Sequence, residues 1–368
     1  MKIVYVHPSN GKDVRVQKSL ETLKELCEEV HFIGWVRSSQ LQEDNIISDV
    51  IYHFHHSNNG FGLKSAVGLP LFWLFINKII KKIKPNIIVF ANEENAFFNA
   101  IMKKKDIILV CDIHDSVADR VKNKWACLVA PKIRDIVNYK MDYLIFTDEM
   151  RLQRLPEHNN KSFVIYNAPK FNEVNFIPKY SDYLYYSGSI SCNRGFYVLM
   201  KALSYLKDKY NLIVPIIAAG VVNDEEIMKV IEKQKEFHYL GHISFKESLE
   251  ITNSALGVFS YYDPIVINNI YASPNKLYEC MMMQKPILIN NETLVSNYVL
   301  EKNLGLCGTY DDYVMLAENI KTLVLKQFIP ENNVEEFRKK FSWDNAQNVY
   351  TSIIGPKNYI IKKKENDL

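Results

Sequence analysis

The chain has 368 residues, a formal net charge of +3 and a hydrophobic content of 48%. This length exceeds a single typical core and predicts two domains, while the composition excludes a largely disordered chain. The six cysteines include no Cys-x-x-Cys pair, which favours reduced thiols, and the small net charge does not indicate a nucleic-acid partner. The apolar run at the N-terminus is too short for a signal peptide, so we expect a cytoplasmic protein.

Strand-like and helix-like segments alternate along most of the chain. This alternation predicts an α/β fold with parallel sheets flanked by helices. The first half contains predicted strands at residues 2–6, 30–33, 51–54, 86–90, 107–111, 143–146 and 163–166, and the second half at 183–186, 211–218, 237–240, 256–259, 287–289 and 304–307. Two Rossmann-like units fit this count.

The junction between the two units is predicted between Asn167 and Ser181, where two prolines interrupt a polar stretch. We expect an N-terminal domain over residues 1–170 and a C-terminal domain over 171–340. A helical pattern follows in the segment 341–356, and a polar tail occupies 357–368.

The loop after the first strand contains Gly11. Glycine there can bring backbone N–H groups close to a phosphate or an acceptor, while Asp13 and Arg15 could simply pair locally. The loop does not follow the Gly-x-Gly-x-x-Gly pattern, which disfavours a nicotinamide-dependent oxidoreductase.

Residues 69–76 form an apolar run that is followed by Lys78, Lys81, Lys82 and Lys84. The run is too short and too charged to span a bilayer. Either it is a buried helix of the first domain, or it docks on anionic lipid headgroups.

Polar residues follow the fourth and fifth predicted strands of the first domain. Glu93 could bind an acceptor hydroxyl, and His114 and Asp115 lie where a buried strand reaches its polar end. Each could equally be an ordinary polar residue at a strand end. The tract His53-x-His55-His56 lacks a carboxylate or cysteine at ligand spacing, so we expect no metal site there.

A glycine-containing loop, residues 188–195, connects the first strand of the second domain to a helix. Such a loop is an anion site, and Arg194 within it could neutralise a diphosphate leaving group. The alternative is a β–α turn with a solvated arginine. Gly220 lies at the end of the next strand, where a ligand could approach the backbone.

The most informative segment begins at Ser273, a good helix N-cap, followed by Pro274 at the first helical position. On a helix, Asn275, Lys276 and Glu279 lie within one arc, opposite the side that includes Leu277. The helix N-terminus and the lysine favour an anion, and the carboxylate can accept two hydrogen bonds from a vicinal diol. Diphosphate and ribose together indicate a nucleotide sugar.

This segment, SPNKLYECMMMQKPILIN, resembles the donor-binding motif of retaining GT-B glycosyltransferases, especially family 4. The loop ending at Arg194 is similar to the family's Gly-Arg-x5-(Lys/Arg)-Gly pattern, with Ser189 in place of the first arginine. Tyr271 stands where the wider family carries the first of two glutamates. Residues 341–354 resemble the family's last helix, which crosses back onto the N-terminal domain.

The resemblance implies that two Rossmann-like domains bind a nucleotide sugar in the cleft between them, without a metal or other cofactor. Arg194 and Lys276 would stabilise the departing diphosphate, and His114 would position the sugar as a third catalytic residue. The implied donor-binding residues are Gly11, Gly188, Arg194, Gly220, Ser273, Asn275, Lys276, Leu277 and Glu279, and the acceptor-side residues are Glu93 and Asp115.

The expected activity is therefore transfer of a hexosyl group, with retention, to a glycan or lipid-linked oligosaccharide. This activity would suit bacterial surface polysaccharide synthesis at the inner face of the plasma membrane, with peripheral membrane contact. Two alternatives remain open. One is a nucleotide-sugar epimerase on the same scaffold, and the other is a catalytically impaired GT-B protein that only binds its ligand.

Overall fold

The computed structural model describes residues 1–36, 47–57, 63–102, 106–121, 124–176, 181–330 and 333–355. The chain divides into two compact units, one formed by Met1–Tyr166 with the C-terminal segment from Asp344, the other by Asn167–Trp343. The boundaries predicted from the sequence are at 170 and 340, and the contact-based divisions are at 166 and 343. The tail predicted over 357–368 lies outside the described residues.

The first unit is built on a seven-stranded parallel sheet of order β3-β2-β1-β4-β5-β6-β7. Its strands are β1 (Lys2–His7), β2 (Glu29–Val36), β3 (Val50–His56), β4 (Ile87–Ala91), β5 (Ile108–Ile113), β6 (Tyr143–Phe146) and β7 (Ser162–Val164). Its first helices are α1 (Val14–Leu26), α2 (Leu63–Ile83), α3 (Glu93–Ile101), α4 (Val117–Arg120), α5 (Lys124–Lys140) and α6 (Glu149–Gln153). The strand order reverses between β1 and β4, so their carboxyl ends form a topological switch point.

Apolar side chains of α2, α3 and α5 bury one face of this sheet. Phe72 and Ile76 of α2, Ala96 of α3 and Val137 of α5 belong to one buried cluster together with residues of the central strands. The three helices therefore form a single layer over the sheet. Near-continuous Val, Ile and Leu runs in the strands are typical of a parallel sheet that is covered on both faces.

The second unit contains a six-stranded parallel sheet of order β10-β9-β8-β11-β12-β13. Its strands are β8 (Leu184–Ser189), β9 (Ile216–Val221), β10 (Phe237–Tyr239), β11 (Gly257–Ser260), β12 (Ile287–Asn290) and β13 (Gly305–Gly308). Its helices are α7 (Phe196–Tyr210), α8 (Glu225–Lys233), α9 (Phe245–Ser254), α10 (Ile267–Ile270), α11 (Asn275–Met283), α12 (Val295–Glu301), α13 (Tyr313–Val324) and α14 (Val334–Phe341). Here the switch point lies between β8 and β11.

The last helix, α15 (Asn345–Ile354), belongs to the first unit, where it lies against α1. Its Tyr350, Ile353 and Ile354 are buried. None of the described helices is both long and apolar enough to cross a bilayer.

All thirteen predicted strands are present, with shifts at their ends. The largest error is at β9, which begins at Ile216 and not at residue 211. Asn211 instead adopts a left-handed conformation that ends α7. Asparagine tolerates this conformation better than most residues, and Pro215 cannot donate a ladder hydrogen bond, so pairing starts after it.

Candidate functional site

A cavity of about 110 Å³ lies near the carboxyl end of β8 in the second unit. Ser187, Ser189, Arg194, Tyr262 and Lys276 are among the residues that line it. Ligands of open parallel sheets bind at this edge, beside the switch point. The structure thus brings together two cations that the sequence places 82 residues apart.

Three hydrogen bonds fix the loop that carries Arg194. The carbonyl oxygens of Cys192, Asn193 and Arg194 accept from the Tyr310 hydroxyl at 2.7 Å, the Asp263 N–H at 3.0 Å and the Tyr186 hydroxyl at 2.8 Å, respectively. The three donors come from different parts of the second unit, so the loop is held before any ligand arrives.

The Arg194 guanidinium lies over the ring of Tyr262, with its carbon 4.3 Å from the ring centre. Its Nη1 atom is buried and has no hydrogen-bond partner. Tyr262 is itself held by Asn290, whose Oδ1 accepts from the Tyr262 N–H at 2.7 Å and whose Nδ2 donates to the Tyr262 carbonyl at 3.0 Å. An arginine on an aromatic platform with an unused donor is suited to binding an anion.

Gly188 and Gly220 allow the backbones of β8 and β9 to approach each other closely at the carboxyl ends of these strands. The two residues face each other in register, and a Cβ added to Gly220 would lie 1.9 Å from the Gly188 carbonyl oxygen. Gly188 has a φ of +94°, and a Cβ there would lie 3.2 Å from the Lys276 Nζ atom. Glycine at these positions keeps the space beside Lys276 open.

Helix α11 begins one residue later than predicted. Pro274 is the N-cap, and the Ser273 hydroxyl instead pairs with the Tyr278 hydroxyl at 2.9 Å. Proline at the N-cap leaves the first N–H groups of the helix without a side-chain cap. The exposed Asn275 accepts a hydrogen bond from Asn167 through its Oδ1 atom at 2.8 Å.

The helical arc predicts that Glu279 lies on an exposed polar face, but the structure places it in a buried position. Its side chain is only 6% exposed, and it is not among the residues that line the cavity. Leu277 is buried, as its position on the apolar side predicts. Helix α11 is buried from Leu277 to its end, because α9 and α14 pack on it in addition to strands β11 and β12.

Tyr262, Ser187 and Ser260 were not predicted from the sequence as residues of this site, and Ser189 was noted only in place of an arginine. Tyr262 follows β11, and residues just after parallel strands are frequent ligand contacts. This position is the signal that could have identified it. The position of the Tyr262 ring under Arg194, however, depends on Asn290, which is distant in sequence.

In the first unit, Asp112 at the end of β5 is the centre of a buried polar cluster. Its Oδ1 atom lies 2.7 Å from Arg15 Nη2, and its Oδ2 accepts from the Tyr5 hydroxyl at 2.8 Å. The second guanidinium terminus, Nη1, donates to the Ile165 carbonyl at 2.9 Å. The expectation that Arg15 pairs locally with Asp13 is therefore wrong. Asp13 instead caps α1 through the N–H groups of residues 15 and 16.

Burial raises the pKa of Asp112, but the nearby Arg15 guanidinium and His114 outweigh this effect and hold the pKa well below its ordinary value. Burial likewise lowers the pKa of Arg15, and Asp112 more than compensates. The pair is therefore ionised, and the carboxylate can only accept hydrogen bonds.

His114 is fixed from three sides. Its Nε2 atom lies 3.1 Å from Asp112 Oδ2, which requires the proton on Nε2, and its N–H donates to Asn92 Oδ1 at 2.8 Å. Its carbonyl accepts from Arg151 Nη1 at 2.5 Å. The ring also stacks on His7 of β1, with ring centres 5.5 Å apart. In the neutral imidazole, Nδ1 is left as the acceptor.

Glu93 is fully buried at the start of α3. Its two oxygens accept from the Ser116 hydroxyl at 2.8 Å and from the Val117 N–H at 2.9 Å, so it caps α4. This engagement argues against the predicted contact with an acceptor hydroxyl. Burial, with a smaller contribution from Glu94, raises the pKa of Glu93 to about 7.

Glu93 should make the protein less stable as the pH rises. In the unfolded chain this carboxyl titrates at about 4.3, so between that value and about 7 unfolding releases a proton. Glu93→Gln preserves both hydrogen bonds, since its amide can donate to Ser116 and its carbonyl can accept from Val117. Urea unfolding at pH 5 and pH 8 should show that the substitution stabilises the protein at pH 8 by about 4 kcal/mol, at 1.4 kcal/mol per pKa unit. The exposed Glu225→Gln is the control, and equal pH dependence of all three proteins would contradict this account.

Asp115 and Gly11 also have protein partners. Asp115 Oδ1 accepts from Arg151 Nη2 at 3.0 Å, while part of its side chain stays exposed. Gly11 has a φ of +85°, and its N–H donates to the Ser9 hydroxyl at 3.2 Å. Within the described part of the chain, no group of three or more His, Cys, Asp or Glu side chains could hold a metal ion.

No protein-family model matches the sequence, and a search of curated proteins found no match. Solved structures do match. Sucrose-phosphate synthase from Thermosynechococcus elongatus has a TM-score of 0.70 at 11% identity, over 96% of this chain and 98% of that chain. HepE from Anabaena, in complex with UDP-glucose, has a TM-score of 0.70 at 14% identity, over 96% and 99%.

The UDP-GlcNAc 2-epimerase of Methanocaldococcus jannaschii, in complex with UDP-GlcNAc and UDP, also matches. Its TM-score is 0.60 at 14% identity, over 92% of this chain and 98% of that chain. Identities this low establish the fold alone. The predicted GT-B fold, with two Rossmann-like domains, is confirmed.

Proposed function

We propose that this protein is a glycosyltransferase that uses a nucleotide sugar as donor and binds it in the second unit. The observation that carries the proposal is that Arg194 and Lys276 line the same cavity, beside two closely facing glycines. No described carboxylate forms an ion pair with either cation. Two such cations beside a helix N-terminus are suited to a diphosphate.

In this proposal the cations stabilise the negative charge that develops on the nucleoside diphosphate as the glycosidic bond breaks. The contribution of the protein is positioning and electrostatic stabilisation. No metal is required, because the cations take its place. His114, held by Asp112, orients the transferred sugar, and Glu279 binds the ribose once α11 and its surroundings adjust to admit it.

The resemblance to family 4 supports the finer parts of the proposal. These are transfer of a hexosyl group with retention, a glycan or lipid-linked oligosaccharide as acceptor, and a role in bacterial surface polysaccharide synthesis. HepE was solved with UDP-glucose, which makes UDP-sugars the first donors to test.

The test is to incubate the protein with UDP-, GDP- and dTDP-sugars and to measure nucleoside diphosphate release with and without candidate acceptors. A specific donor should also raise the melting temperature, because it binds only the folded protein. Acceptor-dependent release supports the proposal. Binding without any release indicates an impaired protein, and absence of binding to every donor overturns the proposal.

An epimerase is the second candidate, favoured by the structural match to UDP-GlcNAc 2-epimerase. The same incubations distinguish it. An epimerase would convert the sugar of the donor without any acceptor, which NMR of the recovered nucleotide sugar would detect.

A further inference from the structure

Exposed apolar side chains are concentrated on one surface of the first unit. Of its ten exposed large hydrophobic residues in the described ranges, nine lie on or directly after α2, α3 and α5, the helices that form one layer over the sheet. These nine, called here the helical-layer patch, are Leu71, Leu74, Ile101, Met102, Trp125, Leu128, Val129, Ile136 and Tyr139. Exposed apolar side chains concentrated on one layer of helices are typical of an interaction site.

Helix α5 shows that this exposure is patterned. At 100° per residue, its five patch residues lie within an arc of about 100°, opposite the side that carries the buried Val137. Trp125 is 79% exposed, Leu128 65% and Tyr139 74%. A surface helix that packs one apolar face on the core normally turns a polar face to solvent. Here the outward face is largely apolar as well, with Lys132 lying among the patch residues.

The exposed charges on the three helices themselves are predominantly positive. Five lysines on α2 and α5 are exposed, namely Lys78, Lys81, Lys82, Lys132 and Lys140. The one exposed carboxylate on the three helices, among the described side chains, is Asp135, which pairs with Arg134 at 2.8 Å. Tryptophan and tyrosine beside lysines match the chemistry of the boundary between lipid headgroups and acyl chains.

We infer that the helical-layer patch docks on the surface of an anionic lipid bilayer, with Trp125 and Leu128 inserted among the headgroups. The lysines supply the electrostatic attraction, and the apolar residues of the helical-layer patch insert into the bilayer surface. A second copy of this chain is disfavoured, because two such lysine-rich surfaces would repel each other. This inference concerns binding alone and does not rest on the proposed reaction.

The experiment is sedimentation of the full chain with vesicles of equal parts phosphatidylglycerol and phosphatidylcholine, and with phosphatidylcholine alone. The protein should bind the anionic vesicles, and salt should weaken this binding. Tryptophan fluorescence provides a direct reading of the patch. Of the four tryptophans, Trp35 and Trp343 are buried and Trp73 is partly buried, so a blue shift on binding would report Trp125.

Two sets of variants separate the apolar and charged contributions. Trp125→Ser with Leu128→Ser should weaken vesicle binding at least about tenfold. Lys78→Gln with Lys81→Gln should weaken it by about fivefold for each lysine. Ile329→Ser removes an equally exposed apolar residue of the second unit and should change nothing.

Equal binding to neutral vesicles, or variants that bind as well as the original protein, would overturn the inference. So would a protein that ignores vesicles and instead dimerises through the patch, which sedimentation velocity of the Trp125→Ser, Leu128→Ser variant would show. Circular dichroism of each variant confirms that it is folded. Because no turnover is measured, these outcomes are independent of the proposed reaction.

Discussion

Replacing Arg194 by methionine should lower kcat for nucleotide-sugar turnover by about 10²- to 10³-fold, the range found when one preorganised donor to a developing charge is removed. The reason is the geometry of its side chain. The guanidinium lies on Tyr262 at the wall of the cavity, and its buried Nη1 atom has no hydrogen-bond partner in the protein. Methionine retains contact with the ring but removes the charge.

The same substitution should leave the protein folded. Losing Nη1 removes no hydrogen bond within the protein, and the Tyr186 bond to residue 194 uses only the backbone carbonyl. A melting temperature within a few degrees of the original is therefore expected, since 1 kcal/mol corresponds to about 2–4 °C in a protein of this size. A large loss of stability would assign Arg194 to the fold and not to the ligand.

Two further variants make the kinetic result specific. Lys276→Met should produce a loss of similar size, and the double variant should lose less than the product of the two, because both cations act on one diphosphate. Lys201→Met removes an exposed charge from α7 and is the control. If Arg194→Met retains kcat within about twofold, Arg194 is not a leaving-group contact.

The sequence predicted those parts of the site that depend on local spacing. Gly188, Arg194 and Lys276 each belong to a strand-loop-helix pattern, and parallel topology places such loops at the same edge of the sheet. The fold followed from the alternation of apolar runs for the same reason. The local pattern of α11 was insufficient for Glu279, because the helical arc does not reveal that both α9 and α14 pack on this helix.

Interactions between distant residues could not be predicted from the sequence. Arg15 and Asp112 are 97 residues apart, and Asn290 reaches Tyr262 across 28 residues. Glu93 shows the same limit, since its pattern suggested a solvent-facing strand end, whereas Ser116 and Val117 fold over it. The exposure of the patch residues on α5 could not be predicted either, because an apolar period alone does not indicate which helix face packs on the core.

Asp112→Asn should lower the free energy of unfolding by about 3–5 kcal/mol, the usual cost of breaking a buried ion pair by removing one partner. Both side chains are almost fully buried, with Arg15 Nη2 at 2.7 Å from Asp112 Oδ1. Asparagine keeps the volume but leaves the guanidinium charge buried without a counter-ion. Urea unfolding at neutral pH measures the change, and Asp119→Asn, in a partly exposed pair with Arg154, should cost about 1 kcal/mol or less.

The pH dependence of the original protein has a definite sign. Because the pKa of Asp112 is depressed in the folded state, its contribution to stability is present above the ordinary carboxyl value of about 4 and decreases as the pH falls below it. The difference between the original protein and Asp112→Asn should therefore narrow below pH 4.

A double-mutant cycle with Arg15→Met separates the ion pair from the rest of the cluster. Asp112→Asn with Arg15→Met should be more stable than the sum of the single losses predicts, because neither charge remains buried alone. The double variant should still be less stable than the original protein. Arg15 Nη1 also donates to the Ile165 carbonyl, and methionine cannot replace that hydrogen bond. Strictly additive losses would mean that the two side chains contribute through their other partners and that the pair itself stabilises little.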